Sequence, residues 1–377
     1  MQQCFGPNEL LEDVFQRDLC VGCGMCVDLC PYFKSYMGKT TQVFKCDRQK
    51  GACYACCPKT EVDLDRLSRE LQGAPYDGRP LGRYRRIAIA RAGIRAPRGH
   101  FQGGGTVSAL IAHALTSGAI DCAVLTGRDG LVPVPMMVTD PQQVVSAAGS
   151  KFMAAPTLSA LNRAIREGYK KIGVVGTPCQ ITAVAKMRRN PLEKEDFADP
   201  VALTVGLFCT WAVDTRKLIP VVQACVDASC IQAMDVPPPP AEILVLTTTG
   251  GDERAQIPLS TIRTLVPHGC HLCPDMTSEW ADISVGQVEG TPGWNTVVVR
   301  TEKGDQAFHQ AIATGYLEVG ALAEGARAAL EKAGARKKGR AVETAAREGR
   351  LNTDASVERA TLRIPPEALE KIRSNNN

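Results

Sequence analysis

The stretch KKIGVVGTPCQITAVAKMRR, from Lys170 to Arg189, decides the fold. Its opening KKIGVVGT reads as a buried strand, and PCQITAVAKMRR as the helix that follows. The same alternation runs outward on both sides. RRIAIARA (85–92) is strand-like, and after the loop HFQGGG comes TVSALIAHALTSGAI (106–120), an amphipathic helix. DCAVLTG (121–127) is a second strand, SAAGSKFMAAPTLSALNRAIREG (146–168) is mostly helix, and ALTVGLFC (202–209) is another strand. Strands spaced by helical segments predict an α/β domain with a mostly parallel sheet. EILVLTTTGGDERAQIPL (242–259) reads instead as a hairpin turning at Gly250 and Gly251, an antiparallel appendage.

The two ends differ in texture. Residues 1–80 are rich in cysteine and turns and short of long periodic segments, as a small ferredoxin-like unit held by metal rather than a core would be. Pro75, Gly78, Pro80 and Gly82 punctuate a linker. Beyond about 320, alternating Ala, Glu, Lys and Arg, with Arg336, Lys337, Lys338 and Arg340, suggest a solvated, peripheral helix, a polar tail that packs on its own protein or on a partner. The expected division is therefore 1–80, 81–320 and 321–377.

At 377 residues and 44% hydrophobic content, the chain is globular and long enough for two or three domains. No run approaches the ~18 apolar residues of a membrane helix, and no signal-peptide pattern opens the chain. Sixteen cysteines in a chain neither small nor visibly secreted argue against a disulfide scaffold. A cytoplasmic location with thiols reserved for metal is expected. The net charge of +4 is too mild to argue for nucleic acid.

Twelve cysteines fall into ligand-like groups. In CVGCGMCVDLCP, Cys20, Cys23 and Cys26 curl one loop around a single cubane, and the fourth cysteine of such a run, Cys30, serves a second cluster. Cys57, in CYACCP, would complete the first set. The return half is irregular: a regular motif needs cysteines where Asp47 and Lys50 stand. Cys46 and Cys56 are then the candidate substitutes, beside Cys30 and Cys53, as ligands of a second 4Fe-4S cluster. Farther on, Cys179 (GTPCQ), Cys209 (GLFC), Cys270 and Cys273 (CHLC) offer four soft thiolates from separate loops. Such a set suits an iron–sulfur cluster or zinc, and the N-terminal run tips the choice toward iron–sulfur. Cys4 reads as a spare thiol, Cys122 as core, and Cys225 and Cys230 as without a role.

A loop of consecutive glycines, Gln102-Gly103-Gly104-Gly105-Thr106-Val107-Ser108, lies between a strand and a helix, where backbone N–H groups favour phosphate. It is not the GxGxxG of a dinucleotide fold. The turn Gly176-Thr177-Pro178 offers further donors beside Cys179, and Ser150 with Lys151 adds a cation for a diphosphate. His100, next to the glycine loop, could serve a bound cofactor but reads better as a structural or surface histidine.

Taken together, GGGTVSAL, AAGSKF, GTPCQITAVAKM, GLFC, CHLC and ADISVGQVEGTPGWNTVVVRTEKG resemble the coenzyme F420 hydrogenase/dehydrogenase beta-subunit family from about Arg86 to the 340s. The resemblance implies FAD, a 4Fe-4S cluster beside it on Cys179, Cys209, Cys270 and Cys273, and hydride exchange with a deazaflavin. It places the 103–105 loop and the Gly149-Ser150-Lys151 turn at the flavin. Asp282, Ser284, Gly286, Gly293 and Trp294 match elements that frame the site. The N-terminal unit resembles extensions found on members that join larger electron-transfer complexes. Thr210-Trp211-Ala212-Val213 departs from the more polar continuation of F420-reducing hydrogenase subunits, so the family fixes the cofactors better than the substrate.

The expected function is exchange of a hydride with a two-electron carrier, foremost coenzyme F420, and passage of single electrons to partner redox subunits of hydrogenase, formate dehydrogenase or heterodisulfide-reductase type. The alternatives are a ferredoxin-driven reductase of an unsaturated organic substrate and a flavin-free relay. No side chain is required as an acid or base.

Overall fold

The computed structural model describes residues 4–237, 240–249, 254–287, 291–354 and 356–375. Its centre is an eight-stranded sheet. In chain order the strands are β1 (Arg86–Ala92), β2 (Cys122–Asp129), β3 (Val132–Val138), β4 (Ile172–Gly176), β5 (Val201–Leu207), β6 (Ile283–Gln287), β7 (Asn295–Val299) and β8 (Leu317–Gly320). They lie in the order β8-β1-β7-β6-β5-β4-β2-β3. The centre, β6-β5-β4-β2, is parallel, and both flanks pair antiparallel. Because β7 is antiparallel to both β6 and β1, five of the eight strands point the same way. Their carboxyl ends open on one edge of the sheet, the position where α/β sheets bind ligands.

The local causes are plain in β4, whose five residues IGVVG are all buried and which needs no polar face. It feeds helix α3 (Pro178–Arg188) through a turn in which Gln180 Oε1 accepts the Thr177 N–H at 2.8 Å, with Pro178 at the first helical position. Helices α1 (Thr106–Thr116) and α2 (Leu158–Arg166) also pack on the sheet. Leu110, Ile111, Ile120, Val205 and Val297 are buried in its core. Each such side chain contributes about 1.5–3 kcal/mol of burial.

Several sequence expectations change or sharpen. The segment 146–168 is helical only over Leu158–Arg166, plus a 3-10 turn at Pro141–Ala147. Gly149 adopts φ +87° and Pro156 lacks a donor, so a continuous helix is broken between them. Strand β3, which carries Pro133 and Pro135, sits at the sheet edge, where a missing N–H is tolerated. The expected hairpin forms between Ile243–Thr248 and Arg254–Pro258, joined by a third strand, Ile231–Asp235. Its turn at Gly250 and Gly251 lies outside the described residues.

The largest change concerns the chain ends. The helix α4 (Ala326–Arg347) exists as expected, but Lys337 and Lys338 are 3% and 1% exposed. The segment does pack on its own protein, but it is neither solvated throughout nor peripheral. Val342, Ala345, Ile364 and Ile372 share one apolar core with Leu10, Val14, Leu19 and Phe33. Leu351–Asn352 and Leu362–Arg363 form a parallel three-stranded sheet with Val62–Asp63. The cysteine-rich segment thus has an apolar core, which the C-terminal segment supplies in part.

Candidate functional site

Cys179 and Cys209 follow the carboxyl ends of β4 and β5, so the sheet itself delivers both to one edge. Cys179 opens α3, and Thr177 Oγ1 lies 3.3 Å from its sulfur. Cys270 and Cys273 come from the short helix His268–His271 and the loop after it. Burial, with the Cys273 and Cys270 thiols adding to it, pushes Cys179 up to about 11. Burial pushes Cys209 up to about 12, against Lys337, with Cys270, Cys179 and Cys273 adding. All four thiols therefore share one electrostatic neighbourhood. Among the described residues no three His, Cys, Asp or Glu close to the spacing of a single-ion site.

The N-terminal set lies against this one. Burial raises the Cys23 thiol well above its usual value, and Cys57, Cys179 and Cys26 raise it further. Cys26 is likewise raised by burial, then by Cys20, Cys57 and Cys53. Cys20, Cys23, Cys26 and Cys57 are thus brought together. The contact between the two sets is tight, since a Cβ on Gly269 would stand 2.1 Å from the Leu19 carbonyl oxygen; the same N-terminal loop also packs on the sheet domain, where a Cβ on Gly24 would stand 2.4 Å from the Pro156 carbonyl oxygen. Any side chain at either glycine would separate the loops.

The third set is less regular. Burial pushes Cys53 up to about 11, with Cys30 and Cys46 adding. Cys56 turns into the core against α3, where burial pushes it up to about 12 against Lys186, and its thiol neighbours are Cys4, Cys57 and Cys53. Cys122 is buried in the core, Cys225 is exposed and Cys230 is half-buried.

Sequence reasoning missed the cations. Lys59, Lys186 and Lys337 are 4%, 5% and 3% exposed; Glu61 acts on Lys186 and Asp275 on Lys337, behind cysteine thiols in both cases. Lys186 Nζ donates to the Cys57 carbonyl at 2.6 Å, Thr60 Oγ1 at 2.8 Å and the Glu61 carbonyl at 2.9 Å. Lys337 Nζ donates to the Cys209 carbonyl at 2.5 Å. Burial alone would lower Lys337, but the Cys273 and Cys209 thiols outweigh it and raise it. Lys59, with Cys179, Thr182, Cys273 and Trp280, lines a cavity between the two cysteine-bearing regions. Buried ammonium groups are costly unless an anion meets them, and thiolate-held clusters are anions. The donor set and its cations fit iron–sulfur clusters.

The glycine loop opens at the same sheet edge, between β1 and α1. A Cβ on Gly104 would stand 2.8 Å from Asn295 Oδ1 and 3.0 Å from the Ala90 carbonyl oxygen. Gly105 has φ +73°. Asn295, unforeseen in the sequence, accepts the Thr106 N–H at 3.3 Å and donates to the Gly286 carbonyl at 3.3 Å, tying loop to β6. Gln102 Oε1 accepts the Ser150 N–H at 2.7 Å, which joins the two expected phosphate-side segments. Lys151 Nζ is engaged with the carbonyls of Ala147, Ala148 and Gly149, so it holds that turn. Ser108 is buried in α1, and His100 is exposed. The framing residues are structural: Asp282 accepts from Thr204 and Thr301, Ser284 from Arg300, and Trp294 lies under Arg91 at 4.7 Å.

A model of the C terminus of the coenzyme F420 hydrogenase/dehydrogenase beta subunit matches residues 169–325, and the corresponding N-terminal model matches residues 87–162. The chain is 31% identical to the coenzyme F420 hydrogenase subunit beta of Methanothermobacter thermautotrophicus over 69% of this chain and 94% of that one. The chain belongs to the coenzyme F420 hydrogenase/dehydrogenase beta-subunit family. Another family relative, a subunit of the F(420)H(2) dehydrogenase of Methanosarcina mazei, is 30% identical over 79% of this chain and 84% of that one. A chain of the F420-reducing NiFe hydrogenase complex of Methanosarcina barkeri superposes with a TM-score of 0.65 at 29% identity, covering 72% of this chain and 94% of that one. These family members are oxidoreductases, and so is this chain. A 4Fe-4S binding domain matches residues 14–32, which makes the family's chemistry here an iron–sulfur chemistry. Cys179, Cys209, Cys270, Cys273 and the glycine loop lie inside the family matches, whereas α4 with Lys337 lies beyond residue 325, where the C-terminal match ends. No helix among the described residues is long and apolar enough to cross a membrane.

Proposed function

We propose that this chain is an iron–sulfur flavoprotein that exchanges a hydride with coenzyme F420 and passes single electrons to a partner redox protein. The observation that carries the reading is the adjacency of the two cysteine sets: the backbone at Gly269, beside Cys270, packs directly on the Leu19 carbonyl, beside Cys20. An electron arriving at the sheet edge thus has an exit through the N-terminal segment. When bound, FAD supplies the exchange between hydride and single electrons, and 4Fe-4S clusters carry the latter.

The chain's own residues place and tune these groups. Gly103, Gly104 and Gly105 let the loop close on Asn295, Ala90 and Phe101 and so hold it against the first turn of α1, where N–H groups favour a diphosphate. Gln102, Thr106 and Ser150 order that loop, while Gly176, Thr177 and Pro178 set the opposite wall and aim Cys179. The central cluster is assigned to Cys179, Cys209, Cys270 and Cys273, and the nearer N-terminal cluster to Cys20, Cys23, Cys26 and Cys57. A second N-terminal cluster is assigned to Cys30, Cys46 and Cys53, with Cys56 the sequence candidate for the fourth ligand. The Thr177 hydroxyl donates to the Cys179 thiolate, and the Lys59 N–H lies 3.4 Å from the Cys57 sulfur. Both contacts stabilise charge on sulfur and so raise a cluster's potential. The three units proposed are 1–80 for electron exit, 81–320 for hydride exchange and 321–377 as a support for both.

Quantifying FAD, iron and sulfide on the anaerobically purified chain tests this reading. One FAD with about twelve irons, four per cubane, is expected. Iron without FAD, even after reconstitution, would leave only a relay and refute the proposal.

A further inference from the structure

The hairpin Phe33–Tyr36 and Lys39–Gln42, which lies between Cys30 and Cys46 in the chain, presents an unusual surface. Of the eight large hydrophobic side chains exposed among the described residues, four fall between residues 29 and 44: Tyr36 ends the first strand of the hairpin at 72% exposure, and Leu29, Val43 and Phe44 flank the hairpin at 39%, 44% and 65%. Such concentration is how an interaction site looks, because scattered single residues are the rule elsewhere. The same segment is strongly basic. Residues 29–50 hold five Lys or Arg against one Asp, a balance as large as that of the whole chain, +4. Lys39 is paired with Asp18 at 2.6 Å. Lys34, Lys45, Arg48 and Lys50 are exposed and in no ion pair among the described residues.

We propose that this hairpin with its aromatic and basic flanks is the docking site of an acidic one-electron carrier protein, which exchanges electrons with the cluster assigned to Cys30, Cys46 and Cys53. The inference rests on the function proposed above and names the partner's chemistry. The charge sets the partner's sign, since a positive patch steers a negative one and rejects like charge. The apolar centre supplies contact once the partner arrives. Small, weak, salt-sensitive interfaces are the norm for redox encounters, and a patch built on one hairpin matches that scale. A membrane surface also attracts basic and aromatic side chains. It is disfavoured because the face borders cysteines at which an electron must leave, and lipid accepts none.

The test uses the holoprotein, reduced with dithionite, mixed anaerobically with an oxidised acidic two-cluster ferredoxin in a stopped-flow instrument. One electron leaves the reduced protein and one reduces the ferredoxin, so the step balances. Raising salt from about 20 to 300 mM should slow the second-order rate at least about tenfold through screening. Lys34→Glu/Arg48→Glu/Lys50→Glu should slow it by about as much at low salt. Lys303→Glu/Lys332→Glu/Lys371→Glu, an equal charge change on exposed residues elsewhere, should leave it within about twofold. Tyr36→Ser should slow it at both salt concentrations. Iron content and the electron paramagnetic resonance spectrum of each reduced variant should match those of the parent.

Equal rates for the two triple variants, with normal iron, would overturn the docking site and leave the proposed function standing. Absence of the N-terminal iron signals from the parent protein would overturn both. Flotation with phosphatidylglycerol vesicles, lost in the first triple variant while its ferredoxin rate is unchanged, would assign the face to a membrane and overturn the proposal.

Discussion

Removing the buried cation Lys337 should lower the reduction potential of the central cluster. A metal centre that gains an electron gains negative charge, and a fixed ammonium nearby stabilises that state. Lys337 is 3% exposed, in no ion pair among the described residues, and its Nζ is 2.5 Å from the Cys209 carbonyl oxygen. Two unit charges 4 Å apart interact by about 4 kcal/mol at an effective dielectric of ~20, and taking the cluster's charge at about 8 Å leaves about 2 kcal/mol. With about 1.4 kcal/mol and 59 mV per tenfold change for one electron, this corresponds to about 80 mV. Lys337→Met should therefore shift the cluster's midpoint about 80 mV more negative, whereas Lys337→Arg should keep most of the parent value. A redox titration followed by electron paramagnetic resonance reads both. A Lys337→Met protein with full iron content and an unmoved midpoint would refute the reasoning.

Three further outcomes follow from the same geometry. Gly104→Ala drives a Cβ to 2.8 Å from Asn295 Oδ1, so the purified variant should lose most of its FAD while keeping its iron. Lys338, which bonds Tyr76 at 2.6 Å and pairs with Glu279, is 1% exposed; Lys338→Met should cost about 3–5 kcal/mol of stability in denaturant melts, and Lys338→Met/Glu279→Leu should recover most of it. Burial raises the Glu279 carboxyl to about 7, against the pull of Lys338. Since its folded value lies above the unfolded one of about 4.3, the proton is held more tightly in the folded state. Its contribution is then full below about pH 4.3 and lost as the pH rises to about 7. Glu279→Gln should flatten the fall of Tm across that window, and an unchanged slope would assign the effect elsewhere.

Much of the site was legible because its chemistry is local. Strand β4 and helix α3 follow from an unbroken apolar run and the residues after it, and Cys179 is carried to the sheet edge by that turn alone. The cysteine groups announce themselves by spacing. Strand β3 escaped notice because Pro133 and Pro135 argue against a strand, and only its place at the sheet edge excuses them. The lysines of α4 escaped for a different reason. A run of basic residues on a helix ordinarily faces water, but the Cys209 carbonyl lies 128 residues from Lys337 in the chain, and Glu279 lies 59 residues from Lys338. Contacts of that separation leave no periodic trace. Asn295 was hidden likewise, since its partners Thr106 and Gly104 come from the other end of the sheet domain.

In the proposed function, a hydride from coenzyme F420 enters at the glycine loop and leaves as single electrons through the cysteine sets. The direct test is to add reduced F420 anaerobically to the FAD- and iron-loaded protein and follow deazaflavin absorbance, flavin absorbance and the cluster resonance signals together. Reduced F420 should be consumed, flavin absorbance should bleach and cluster signals should appear, with Cys179→Ser keeping the bleaching but losing the central cluster's signal. Unchanged reduced F420, in a protein whose flavin and clusters dithionite still reduces, would contradict that function.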